Sequence, residues 1–163
     1  MRISKLRVGS VFEIPLGGNR KAFGRYLHKD LQSGPIIHIF NTILDNTQEI
    51  NISKLPDFGN MFPPVFVGLH AAIREGYWKI VGFIPVKNFH YPGFITAHWG
   101  GDPPKIHQWL LWDGKQYRSL GSKLPEKYKN FEFYGVYTAY DITKRIETGE
   151  GSFLKTLLSW ELE

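Results

Sequence analysis

The sequence predicts an α+β fold: a single domain over residues 1–163, built on a twisted, mainly antiparallel β-sheet, open or partly barrel-like, with two or three short helices. Three observations carry that prediction. Aromatic residues make up 15% of the chain and are accompanied by 17 Gly and 10 Pro, the composition of short strands punctuated by turns. Runs of β-branched and aromatic residues recur along most of the chain, whereas helical three- and four-residue spacing appears clearly in only two segments. Hydrophobic residues are 42% and charged residues 21% of a 163-residue chain, which suits one soluble core and argues against a disordered or fibrous protein.

The elements follow in order. Val11 to Leu16 and Lys21 to His28 read as a hairpin, with Gly17-Gly-Asn-Arg20 supplying the positive φ angles of its turn. Pro15 places the first strand at an edge or near its end. The continuous apolar run Pro35 to Leu44 reads as a strand covered on both faces and completes a three-strand meander. Asp45 to Gln48 is a turn, Glu49 to Ile52 a short strand, Leu55 to Pro64 a Pro- and Gly-marked connection, and Val65 to Gly68 another strand. Leu69, Ala72 and Ile73 then share a helical face, and Gly76 stands where that two-turn helix would stop. Trp78 to Pro85 returns as a strand. Gly93 to His98, Ile106 to Trp112 and Gln116 to Leu120 follow as strands, the last two joined by an Asp113-Gly114 turn. Apolar positions 139, 142 and 146 make Tyr137 to Glu147 a helix capped by Gly149, while Phe153 to Leu162 fits helix and strand equally.

Catalytic and cofactor chemistry find little support. With no Cys, disulfides, thiolate metal sites and cysteine nucleophiles are excluded. The six His residues show no tight ligand spacing, and His98, Asp102 and His107, the nearest to a group, flank an ordinary Gly- and Pro-marked loop, so no metal is expected. No Gly-x-Ser-x-Gly elbow, phosphate loop or dinucleotide fingerprint occurs, and the carboxylates Asp113 and Glu126 carry no geometry in the sequence alone. No catalytic residue and no cofactor is therefore assigned, and the chain is not expected to be an enzyme. No apolar run reaches the ~20 residues of a membrane span, and the first residues lack a signal-peptide core, so a cytoplasmic protein is expected.

Two surface features remain. Residues 1–29 hold seven Lys or Arg against the single Glu13, whereas residues 130–163 hold three against six acids, Glu132, Asp141, Glu147, Glu150, Glu161 and Glu163. Between them, Trp99, Trp109, Trp112 and Tyr117 are interleaved with Lys105, Lys115 and Arg118. Rings among cations can fill a core, anchor a protein interface or stack the bases of single-stranded nucleic acid, and the pattern leaves all three open.

The order of blocks resembles the immunity protein 26 family of bacterial polymorphic toxin systems: Val8-Gly-Ser-Val-Phe-Glu-Ile-Pro-Leu16, then Phe23-Gly-Arg-Tyr26, then Gly76-Tyr-Trp-Lys-Ile-Val-Gly82, with Pro85 and Pro92 downstream. The resemblance implies a non-catalytic inhibitor that binds and neutralises a cognate toxin protein. Contact is then expected through Trp99, Trp109, Trp112 and Tyr117 and through the acids Asp141, Glu147 and Glu150. The alternative is a nucleic-acid-binding module that uses the basic N-terminal strands and the aromatic sheet.

Overall fold

The computed structural model describes residues 5–161. The α+β class holds, with the strands divided between two open sheets. Contacts also divide the chain into two compact units: the first runs to Phe89 and takes up Val136–Glu150, and the second comprises His90–Gly135 and the chain from Gly151 onward. Among the described residues, no helix is long and apolar enough to cross a membrane.

In the first unit, β1 (Ser10–Leu16), β2 (Arg20–Asp30) and β3 (Gly34–Ile39) form the antiparallel meander. Asn19, with φ 58°, and Gly18, with φ 69°, turn the hairpin. The sheet is extended on one side by β5 (Val65–Val67) and the short parallel β11 (Val136–Tyr137), and on the other by β6 (Lys79–Phe83); β4 (Leu44–Asp45) pairs with the start of β2. Alternation along the strands sends side chains into two cores. Phe12, Ile14, Ile37, Ile39 and Val67 pack with α1 (Leu69–Arg74) and α2 (Ala139–Thr148), whereas Val11, Phe23 and Phe40 pack with Leu55 on the other face. Coverage of both faces explains why β3 reads as a β-branched, nearly continuous run, with His38 its one polar side chain.

Two expectations in this unit are corrected. The strand from Pro35 ends at Ile39, because Phe40 makes only an isolated bridge with Asn60 and Asn41 N–H donates to the Gly59 carbonyl. Glu49 to Ile52 forms no strand and instead leads into a 3-10 helix, Ile52–Phe58. The side chain of Asn51 accepts hydrogen bonds from the Ser53 backbone N–H at 3.1 Å and from its hydroxyl at 2.7 Å, and this local capping outcompetes strand pairing.

The second unit holds β7 (Phe94–Gly100), β8 (Lys105–Trp112) and β9 (Tyr117–Gly121) as an antiparallel set, with β10 (Glu132–Phe133) parallel to β7. Its core gathers Ile95, Ile106, Trp109 and Leu111 with α3 (Leu154–Leu158), whose Leu154 and Leu157 are buried. The terminal segment is thus helical through Leu158; Leu162 lies outside the described residues.

Candidate functional site

The first unit carries an open cleft of about 880 Å³, within the range that takes a large side chain or a small ligand. Its depth is set by a stack of aromatic rings. Phe12 on β1 pairs across the sheet with Gly24 on β2, where a Cβ would lie 2.5 Å from the Phe12 ring and 3.0 Å from the His38 carbonyl oxygen. Only glycine leaves room for the ring there. Phe12 in turn lies parallel to Trp78, with centroids 5.1 Å apart, and the buried Trp78 forms part of the cleft lining.

One side of the cleft is α1 with the turn that ends it. Glu75 caps the helix, and Gly76, at φ +78°, reverses the chain in a conformation that favours glycine, so that Tyr77 and Trp78 follow directly. The other side is β11 with the first turns of α2. Here the Thr138 hydroxyl accepts from the Asp141 N–H, and the Asp141 carboxylate accepts from the Thr138 N–H, each at 3.1 Å, a reciprocal cap that fixes where the helix begins. Ile142 and Ile146 bury the inner face of α2, and the Arg145 guanidinium lies 4.0 Å from the centre of the Phe62 ring. Helical spacing then places Ala139 and Thr143 along the cleft.

The rim is apolar yet open: Tyr77 is 61%, Val136 58% and Tyr140 74% exposed. The polar side chains among the lining residues are Glu75, Tyr77, Tyr137, Thr138, Tyr140 and Thr143, of which the Tyr137 hydroxyl is buried. Glu75 is the one charged residue that lines the cleft, and it has no ion-pair partner among the described residues. The arrangement offers a hydrophobic seat for a side chain with a single negative charge beside it.

A second polar centre in this unit is built around His38, which is buried on β3. Arg25, its cross-strand partner, donates from Nε to His38 Nε2 at 3.1 Å, and His38 Nδ1 lies 2.5 Å from Asn60 Oδ1. A guanidinium can only donate, so Nε2 is the acceptor and the proton sits on Nδ1, pointing at the Asn60 carbonyl oxygen. Burial, reinforced by the charge on Arg25, pushes the His38 pKa down to about 4.

The four aromatics marked by the sequence all belong to the second unit and differ in exposure, while Asp141, Glu147 and Glu150 belong to the first. Trp109 is fully buried in the core of the second unit, and its indole N–H has no hydrogen-bond partner among the described residues. Trp112 is also buried; its indole donates to the Tyr91 hydroxyl at 2.9 Å. Trp99 is 41% exposed and packs edgewise with Phe153, while Tyr117 is half exposed and packs on Trp112. Buried rings cannot stack a base, so the four aromatics do not form one platform. Among the described residues, no three His, Asp or Glu side chains are gathered as metal ligands. Asp113 and Glu126 each have local work: Asp113 accepts from the Gln116 and Lys115 N–H groups, which hold its pKa below the usual range, and Glu126 pairs with Lys129 at 2.7 Å.

The acids also have distinct places. Asp141 is the helix cap, Glu147 accepts from the Gly17 N–H at 2.6 Å and ties α2 to the β1–β2 turn, and Glu150 is exposed just past the left-handed Gly149. Glu132 is buried, Glu161 accepts from the Leu124 N–H, and Glu163 lies outside the described residues. What sequence reasoning missed is the cleft itself, with Glu75, Tyr77 and Tyr140. The signal available was the pair Tyr77-Trp78 directly after Gly76, which reads from sequence as the start of a strand.

The family model for immunity protein 26 matches residues 7–95, which include β1 to β6, α1 and the Gly68–Trp78 side of the cleft. Neither a curated protein nor a solved structure matches the chain. Since the match extends over more than half of the sequence, the chain belongs to the immunity protein 26 family.

Proposed function

We propose that this protein neutralises a cognate bacterial toxin domain by binding it, and that the cleft of the first unit is the principal contact. The observation that carries the reading is a coincidence of place: the stretch matched by the family model supplies Pro15 and the whole Gly68–Trp78 side of the cleft. Protein interfaces draw most of their energy from a few large side chains seated in well-packed pockets, ringed by residues that exclude water. A preformed apolar cleft with exposed Tyr77 and Tyr140 at its mouth has that form.

Charge fits the same reading. The chain carries a net +5, yet the cleft lining contributes only Glu75; α2 adds Asp141 and Glu147 against Lys144 and Arg145, and Glu150 follows just past its cap. An acidic contact within a basic protein steers a partner toward one face and raises the association rate more than the affinity. Of these three acids, Glu150 is the one whose side chain is left open to take up that role, since Asp141 and Glu147 are engaged within the unit.

Co-expression tests the proposal. A candidate toxin domain from a neighbouring reading frame should arrest growth alone, and growth should return when this chain is made with it. Arrest that persists while the chain is present and folded would overturn the reading.

A further inference from the structure

We infer that the cleft receives an apolar or aromatic side chain of the toxin that carries, or stands next to, a positive charge; the inference rests on the neutralisation reading above. Two features of the cleft favour a cation. Glu75 is the sole charged residue on the lining and is without an ion-pair partner among the described residues; its neighbour Arg74 is not part of the lining. Tyr77 and Tyr140 are the most exposed aromatic rings of the unit, and the negative ring faces attract guanidinium and ammonium groups. Of the two helix N-termini at the cleft, that of α2 is already answered by the Asp141 carboxylate, which accepts from the Thr138 N–H, while that of α1, at Gly68, has no side-chain cap.

The remainder of the lining selects what accompanies the charge. Pro15, Ala71, Ala72, Trp78, Val136 and Ala139 present carbon, so the group that enters is hydrophobic. A Lys or Arg whose head reaches Glu75 while a neighbouring ring or aliphatic chain fills the cleft satisfies both demands.

Three indole probes of similar size and different charge test this without the toxin: tryptamine, the neutral alcohol tryptophol, and indole-3-acetate, each titrated into the labelled full chain and followed by amide chemical shifts. Shifts are expected at Gly76, Tyr77, Trp78, Val136 and Tyr140. Tryptamine should bind about threefold more tightly than tryptophol, the scale of an exposed ion pair, and indole-3-acetate most weakly. In Glu75→Gln the three should become equal, while tryptophol binding is retained. No shifts at the cleft, equal affinities in the wild type, or a ranking that survives Glu75→Gln would overturn the inference.

The toxin separates this inference from the reading beneath it. Ala71→Trp fills the cleft from α1, and Thr143→Trp fills it from α2 should the first fail to fold; each should weaken toxin binding at least tenfold. If either folded variant neutralises as well as the wild type, the cleft inference falls and neutralisation stands. If the wild type does not neutralise, the functional reading falls, and the indole ranking alone decides what the cleft holds.

Discussion

Phe12 can lie flat between strand and cleft only because position 24 has no side chain, since a Cβ there would fall 2.5 Å from the ring and 3.0 Å from a backbone oxygen. Gly24→Ala is therefore expected to destabilise the protein by about 1–3 kcal/mol, the usual scale of overpacking, and to disturb Trp78. Urea unfolding followed by tryptophan fluorescence measures both. His38 gives a second prediction with a definite sign. Its folded pKa of about 4 lies below the ordinary 6.5, so the unfolded chain binds more protons between those values, and stability falls as pH drops through that window. The loss attributable to His38 is at most about 3 kcal/mol. It is read as the difference in pH slope between the wild type and His38→Gln from pH 7 to pH 4, and parallel slopes would contradict it. Neither residue announces its task in the sequence. Gly24 reads there as one more glycine in a strand, and the polar centre joins His38 to Arg25 and to the distant Asn60, a meeting created by strand register.

At the scale of elements, α2 combines stability with position. Its reciprocal cap predicts that Thr138→Ala costs about 1 kcal/mol, measurable as a shift in the unfolding midpoint with an unchanged slope. Glu147→Gln tests the tie to the hairpin: the Gly17 amide proton, held now by a carboxylate, should exchange several-fold faster with solvent once a weaker acceptor replaces it. Most elements were legible because period and punctuation agreed. Alternation and Gly-Asn turn chemistry mark the first hairpin, and apolar positions 142 and 146 with Gly149 mark α2. Misreadings fall where a single hydrogen bond outside the strand ladder decides the backbone. Asn51 caps a 3-10 helix in a stretch whose composition suits a strand, and the apolar run after Ile39 breaks because Asn41 N–H finds the Gly59 carbonyl.

On the scale of the whole chain, the functional reading depends on residues far apart in sequence. Pro15, the α1 turn and the start of α2 meet only once β11 has paired with β5, so no local motif could reveal the cleft. Trp109 and Trp112 stand beside Lys and Arg in the sequence, yet both are buried: three residues apart on β8 they point to opposite faces, and both faces are covered. If phosphate contacts through the basic strands were the protein's purpose, affinity for a single-stranded oligonucleotide would fall steeply with salt. Negligible oligonucleotide binding is expected across a salt series in a filter assay. The most direct test of toxin binding through the cleft is calorimetric titration of the purified full chain with the toxin domain identified by co-expression, comparing the wild type with folded Ala71→Trp. Tight one-to-one binding that weakens at least tenfold in the variant is the predicted result, and equal affinity of the two proteins would contradict it.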